Sequence, residues 1–255
     1  MHRMRDVQLG HPLIRRNEVA STMDEVRALA LTGAPEGATV VAEYQHAGRG
    51  RADRRWVTPP GSALLMSVLL RPEHAAAELS PLSLLSALAV VDALEEGHQL
   101  DGVIKWPNDV QIAGRKICGI LLRTHMVPGE RWPVVVLGIG LNANIPADAL
   151  PDNATSIALE CGQEVDRDEL RESILRHLER IYRRFLAGDL AGDWDRLSSL
   201  LAYRGQTVTV QDGERQMCGV IVGLSPSGSL LIREAEGAVV EIASGDLTRG
   251  PRPVK

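Results

Sequence analysis

A long loop in the first quarter of the chain reads QHAGRGRADRRW over residues 45–56. Its glycines allow the backbone to approach a ligand closely, and its guanidinium groups suit a phosphate or a carboxylate. It is neither a Walker A motif nor a dinucleotide fingerprint, because no glycine of the chain is followed by lysine and the glycine spacing is wrong. The loop therefore predicts an anion-binding site, with a solvated basic loop as the alternative.

The segments around this loop predict a chain of mixed helices and strands. Ser21 is expected to cap a helix that runs to Leu31, and the polar segment before Asn17 is expected to be a partly ordered lead-in. An amphipathic helix over 79–95 is expected to end at Gly97. Further strands are expected at 38–44, 62–70, 103–105, 119–126 and 132–141, with a hairpin at 110–118 and helices at 153–161, 167–187 and 190–201.

The pattern changes near Tyr203, because no helical period remains from there to Leu247. Short apolar runs recur at a spacing of about ten residues, and turn pairs such as Asp-Gly and Ser-Gly separate them. This pattern is typical of a small β-barrel appended to a larger domain. It predicts strands at 207–210, 218–222, 229–232 and 239–242 and divides the chain into residues 1–202 and 203–255.

Three further motifs can carry chemistry: KWPND at 105–109, GRKICGIL at 114–121 and VLGIGLNAN at 136–144. Lys105 and Asp109 stand at a strand end and in the turn after it, where they can face one pocket; a turn closed by an ion pair is the alternative. The alternating glycines of the last motif leave room for a ligand beside a strand, and Asn142 can read a nucleotide edge or sugar. A plain glycine-rich strand is the alternative there.

The composition excludes several classes of protein. The net charge of -5 and the aromatic content of 3% argue against a protein that coats nucleic acid. The three cysteines lie far apart, which argues against a disulfide framework or a zinc cluster and favours reduced thiols in the cytoplasm. No secretory signal and no bilayer-spanning run of about 18 uncharged apolar residues is expected. Of 28 basic residues only Lys105, Lys116 and Lys255 are lysines, and two of them fall inside the motifs.

The identity and order of the four motifs closely resemble the bacterial biotin–protein ligases over residues 17 to 248. The resemblance implies an α+β fold, with a mixed-sheet catalytic domain of the biotin/lipoate protein ligase type and a small C-terminal SH3-like β-barrel. It implies that biotin and ATP, the latter with Mg²⁺, give biotinyl-5′-AMP and pyrophosphate. A lysine of the biotin carboxyl carrier protein of acetyl-CoA carboxylase or a related enzyme then displaces AMP, without a covalent enzyme nucleophile.

The same resemblance implies the roles of the site residues. The residues expected to bind biotin are Ser21, Thr22, Met23, Gln45, Arg49, Gly50, Arg51 and Lys105. The residues expected to bind ATP are Arg54, Trp56, Lys116 and Asn142. The catalytic residues are expected to be Lys105, Arg51 and Asp109, of which Asp109 positions either the metal or the incoming amine. Met23 departs from the family pattern, which usually has asparagine after the Ser-Thr pair.

Some alternatives remain open at this point. A lipoate–protein ligase or octanoyl transferase shares the fold and the lysine chemistry. A nucleic-acid-binding regulator or a non-catalytic biotin-sensing module would use the same loop differently. The residues before Asn17 are too few for the winged helix that some family members carry, so we expect a short class that binds no DNA and no membrane. The sequence does not set the oligomeric state, and a homodimer is one of the states considered.

Overall fold

A mixed seven-stranded sheet forms the larger part of the computed structural model, which describes residues 7–250. Its strands are β1 (Leu13–Val19), β2 (Thr39–Gln45), β3 (Leu64–Leu70), β4 (Gly102–Lys105), β5 (Asp109–Ile112), β6 (Arg115–His125) and β7 (Val134–Leu141). Their order is β1-β2-β3-β7-β6-β5-β4. Only β1 and β2 pair in parallel among these neighbours, and the other pairs are antiparallel.

Helices cover both faces of this sheet. They are α1 (Thr22–Leu31), α2 (Pro81–His98), α3 (Ile157–Cys161), α4 (Arg167–Ala187) and α5 (Ala191–Leu200). The alternation of side chains along β7 separates the two faces: Val135 and Leu137 belong to the cluster that includes α2 and α4, whereas Val134 and Val136 pack with α1. The central strands therefore read as continuous apolar runs, because both of their faces are buried.

Helix α2 bears on the expectation that the chain has no bilayer-spanning run. The helical stretch Ala76–His98 is long and apolar enough, by length and composition alone, to cross a membrane. Of its most apolar window, 72% is buried inside the protein. That burial is typical of a core helix, and α2 packs here against α4 and the sheet.

A second, antiparallel sheet follows the last helix. Its strands are β8 (Thr207–Asp212), β9 (Arg215–Leu224), β10 (Leu230–Arg233), β11 (Val239–Ile242) and β12 (Asp246–Arg249), in the order β11-β10-β9-β8-β12. The α+β class with a small β-rich tail is thus confirmed, and four of these five strands were predicted. The division into residues 1–202 and 203–255 stays a proposal, and its outer ends, with Lys255 and the N-terminal residues 1–6, lie outside the described residues.

Several predicted boundaries are wrong for identifiable reasons. The expected lead-in before Asn17 includes the first part of β1. This strand pairs with β2, although its own exposed residues show no apolar alternation that would predict a strand. Helix α2 runs through Gly97 and ends at His98, and the cap residue Gln99 adopts the left-handed conformation with φ 55°. The helix expected over 153–161 is only α3, because Asn153 O accepts from Lys116 N and holds the preceding segment in an extended path. The helices over 22–31 and 167–187 are confirmed.

Candidate active site

A cavity of about 420 Å³ lies over the glycine-bearing strands β6 and β7. That volume falls in the range of about 300–1,000 Å³ that small-molecule sites occupy. The cavity brings together every site residue expected from the sequence: Ser21, Thr22, Met23, Gln45, Arg49, Gly50, Arg51, Arg54, Trp56, Lys105, Asp109, Lys116 and Asn142. Five segments that are separate in sequence thus form one site, and the roles of the individual residues stay predictions.

The start of α1 forms a polar end of the cavity. Ser21 caps the helix, and its Oγ accepts from Met23 N at 3.3 Å. Thr22 donates from both its backbone N and its Oγ1 to Gln45 Oε1, at 2.8 and 3.1 Å. Thr22 Oγ1 also lies 2.8 Å from Ser67 Oγ. The carbonyl oxygen of Gln45 is therefore occupied, whereas its amide NH₂ has no hydrogen-bond partner among residues 7–250 and is available to a ligand.

Met23 contributes an apolar surface rather than a polar contact. Its side chain is buried in the small cluster around α1. A Cβ placed on Gly138 of β7 would lie 3.0 Å from Met23 Sδ, so the missing side chain of Gly138 makes room for the thioether. Met23 therefore fills its position by packing its sulfur against β7.

The arginine loop closes one side of the cavity as a short hairpin. Gly50 N donates to Arg54 O at 2.7 Å, and the tip residues Ala52 and Asp53 have φ of 49° and 58°. Arg54 N donates in turn to Arg51 O at 3.1 Å, which closes the tip. Two successive residues with positive φ are the geometry of a tight hairpin turn. The loop therefore has a defined fold instead of an irregular path.

Side-chain contacts tie this hairpin to the rest of the molecule. Arg49 pairs with Asp24 of α1 at 2.7 Å, and Arg54 pairs with Asp246 of β12 at 2.7 Å. Arg51 donates from Nη1 to Asn108 Oδ1 and to Gly245 O, each at 3.3 Å. Burial lowers the pKa of Arg51 from its ordinary value, because desolvation disfavours the charged form. The second sheet therefore contributes to the wall of the cavity.

The ring of Trp56 lies against two glycines at the floor of the cavity. A Cβ on Gly140 would lie 2.6 Å from Trp56 Cε2, and one on Gly119 would lie 3.0 Å from Cζ3. Lys116 Nζ lies 5.4 Å from the Trp56 ring centroid and donates to Asp109 Oδ1 at 2.7 Å. The glycines of the two strand motifs are thus explained by the approach of an aromatic ring, and the plain glycine-rich strand is excluded as their full explanation.

Lys105 stands at the end of β4, half-buried, and lines the cavity. Within the part of the chain that the structure describes, its ammonium has no hydrogen-bond or ion-pair partner, whereas the nearby Lys116 is neutralised by Asp109. Together with Arg51 it makes the cavity strongly cationic. A site with an uncompensated ammonium suits an anionic ligand.

Asn142 is buried and its amide is partly committed to the protein. Its Nδ2 donates to Thr155 O at 2.9 Å, and its backbone binds Ile117 and Ile157. These bonds fix Asn142 to the segment at Thr155 and Ile157, and the residues just before that segment also line the cavity. The carbonyl oxygen Oδ1 is the part of Asn142 that is left for a ligand.

Several residues of the site were not predicted from the sequence. Asn108 donates from Nδ2 to Ile120 O at 2.7 Å and accepts from Arg51. Ser67 extends the Thr22 network, and Gly245 and Asp246 reach the loop from the second sheet. Asn108 stands inside a motif and could have been singled out, whereas the contacts of Gly245 and Asp246 depend on how the two sheets are packed.

Comparison with known protein families identifies both parts of the chain. Residues 17–142 match the biotin/lipoate A/B protein ligase family, and residues 204–247 match the biotin protein ligase C-terminal domain. The biotin–[acetyl-CoA-carboxylase] ligase of Paracoccus denitrificans is 33% identical over 85% of this chain and 94% of its own length. The chain belongs to the biotin protein ligase family.

Other members of the family extend this similarity. The bifunctional ligase/repressor BirA of Bacillus spizizenii is 34% identical over 95% of this chain and 75% of its own length. A biotin protein ligase from Aquifex aeolicus, solved in complex with biotin and ATP, is 31% identical with a TM-score of 0.80. That match covers 93% of this chain and 99% of the other. The similarity therefore extends through the catalytic sheet and the second sheet together.

Proposed function

We infer that this protein is an ATP-dependent biotin–protein ligase. It activates biotin as biotinyl-5′-AMP and transfers the biotinyl group to a lysine of the biotin carboxyl carrier protein domain of a biotin-dependent carboxylase. The observation that carries this inference is the single cavity that joins a polar end at Gln45 to a cationic region at Lys105 and Arg51. An uncharged ring system with polar edges suits the first region, and a carboxylate beside phosphates suits the second.

In the first step, a carboxylate oxygen of biotin bonds to the α-phosphorus of ATP, and the bond from that phosphorus to the β-phosphate oxygen breaks. Two anions must meet for this to happen, so the protein has to offset their repulsion. Lys105 is the group we assign to this role, because its ammonium has no competing partner among residues 7–250. Charge stabilisation of this kind in a preorganised site is commonly the largest contribution to catalysis.

In the second step, the neutral amine of the carrier lysine attacks the acyl carbon, the bond from that carbon to the AMP oxygen breaks with its electron pair on AMP, and the new amide nitrogen loses its proton to solvent. Asp109 Oδ1 accepts from Lys116, which leaves its other oxygen to orient the incoming amine or a metal ion. Trp56 and Asn142 are assigned to the nucleotide, and Arg51 to closure over the intermediate. No covalent enzyme intermediate is required.

Magnesium is proposed to enter with ATP. No group of three or more His, Cys, Asp or Glu side chains in the described part of the chain could hold a metal ion. Mg²⁺ keeps several waters and binds through one or two carboxylates together with substrate phosphates. Its charge would lower the repulsion between the phosphates and the biotin carboxylate. Asp109 is the carboxylate of the cavity that we assign to such a contact.

We also propose a cytoplasmic location. The proposed substrate, the biotin carrier of a carboxylase, is an intracellular protein, and the three cysteines are free thiols. We propose no DNA partner, because the chain carries a net charge of -5.

Transfer to a carrier tests this function directly. Purified protein is incubated with biotin, ATP, Mg²⁺ and a recombinant carrier domain, and the carrier is analysed by intact-mass spectrometry. We expect one biotinyl group on the carrier lysine, dependent on ATP. Parallel reactions with lipoate and octanoate distinguish the related ligases. Acylation by lipoate or octanoate but not by biotin would contradict the proposal, as would binding of biotin without any acylation.

A further inference from the structure

A turn of the second sheet lies against the motif that carries Lys105. The turn occupies residues 225–229, between β9 and β10. Trp106 Nε1 donates to Gly228 O at 3.0 Å, and Ser80 Oγ donates to Ser227 O at 2.8 Å. Gly228 has φ 82°, and a Cβ there would lie 3.4 Å from Pro81 Cα. The turn therefore contacts both the start of α2 and the residue that follows Lys105.

The acceptor that Trp106 binds is held in place by the turn itself. Gly228 N donates to Ser225 O at 2.9 Å, and Ser225 N donates to Ser229 O at 2.9 Å. Glu241 Oε1 accepts from Ser225 Oγ at 2.7 Å and from Ser227 Oγ at 2.9 Å. The hydroxyls of Ser225, Ser227 and Ser229 lower the pKa of Glu241, because they stabilise its carboxylate. The hydrogen bonds within the turn thus hold the carbonyl of Gly228 in place.

The direction of the Lys105 side chain depends on its two neighbours. Ile104 is buried in the core, and the alternation of side chains along β4 turns Lys105 to the opposite face, where it lines the cavity. Trp106 follows the strand and is only 2% exposed. Lys105 itself has no side-chain partner among residues 7–250. Ile104 is fixed by the bond from Ala202 N to Ile104 O at 2.9 Å, and Trp106 by its bond to Gly228.

We propose that Trp106 is a positioning residue: its indole N–H, bound to the 225–229 turn, fixes the chain after β4 and so aims the Lys105 ammonium at the reacting groups. This inference rests on the proposed function, since it concerns the adenylation step. Small displacements of a catalytic group are costly, because rate depends steeply on geometry. The second sheet would then act on catalysis through this bond as well as through the cavity wall.

The test compares Trp106→Phe with Ser80→Ala in biotin-dependent pyrophosphate exchange. The first variant removes the indole N–H, and the second removes the neighbouring hydrogen bond to the same turn without touching the motif. We expect kcat of Trp106→Phe to fall about tenfold or more, with KM for ATP within about twofold of wild type. Ser80→Ala should keep kcat within about twofold, and melting temperatures report any loss of folding.

A second substitution separates the N–H from the packing of the ring. Incorporation of 3-benzothienylalanine at position 106 keeps the bicyclic shape and replaces N–H by sulfur, so the same fall in kcat is expected in a stably folded protein. Unchanged kcat in this protein, or equal losses in Trp106→Phe and Ser80→Ala, would overturn the positioning role. Wild-type protein that performs no biotin-dependent exchange would instead overturn the proposed function, so the two failures are distinguishable.

Discussion

Replacing Arg51 by glycine is expected to release the activated intermediate. The guanidinium makes two hydrogen bonds of 3.3 Å, to Asn108 Oδ1 and to Gly245 O, which join the loop to both sheets. Bonds of this length to a charged group contribute about 1 kcal/mol each, and the added glycine costs the loop about 0.5–1 kcal/mol of order. The open loop should therefore be favoured by about 2.5–3 kcal/mol, which increases its population about 70- to 160-fold.

The assay measures biotin transfer to serum albumin, a bystander with no carrier domain, because a freed mixed anhydride acylates any exposed lysine. Arg51→Gly should label albumin faster than wild type at equal enzyme concentration. Arg55→Gly is the matched control, since it adds glycine to the same loop but removes, among residues 7–250, a single side-chain hydrogen bond, from Arg55 Nη2 to His46 O within the loop. If Arg51→Gly consumes ATP with biotin yet labels albumin no faster than this control, Arg51 does not retain the intermediate.

Two further substitutions test the cavity floor and the helix layer. Gly140→Ala should raise KM for ATP in pyrophosphate exchange about tenfold, because its Cβ would lie 2.6 Å from Trp56 and overpacking costs about 1–3 kcal/mol. Gly192→Ala is the control, because a Cβ there meets no atom within 4 Å. An unchanged KM in Gly140→Ala would contradict the placement of the ring. Glu96→Gln should lower the melting temperature at pH 7, because hydrogen bonding, first from His177, lowers the pKa of Glu96 to about 2. A depressed carboxyl pKa stabilises the fold above the ordinary value of 4.5, so the difference from wild type should close as pH falls from 4.5 towards 2; a difference constant with pH would refute this coupling.

Most of the fold could be predicted from the sequence because the residues of the central strands and helices reflect whether each face is buried. Strands buried on both faces are continuous apolar runs, and Ser21 marks a helix start by its local chemistry. Strand β1 was not predicted, because its pairing with β2 and not its own apolar pattern makes it a strand. Strand β12 was not predicted, because Asp246–Arg249 is short and polar and becomes a strand by pairing with β8.

The site was predictable to the extent that its residues stand in the motifs. All the expected residues line one cavity, because two motifs follow the ends of β2 and β4 and the other two lie along the neighbouring strands β6 and β7 of the same sheet. The contributions of Gly245 and Asp246 could not be derived, since they depend on packing between two sheets that no local pattern encodes. The same holds for the bond from Trp106 to Gly228, which joins residues 122 positions apart.

Biotin-dependent exchange of pyrophosphate into ATP, measured for wild type and Lys105→Ala, tests the central claim most directly. Wild type should exchange with biotin and fail to exchange with lipoate or without an acid. Removal of one charged transition-state contact costs about 2.7–4 kcal/mol, so the variant should lose about 100- to 1,000-fold in rate. Its melting temperature should stay close to that of wild type, because Lys105 has no side-chain partner among residues 7–250. Exchange that does not require biotin, or full exchange in Lys105→Ala, would contradict the account.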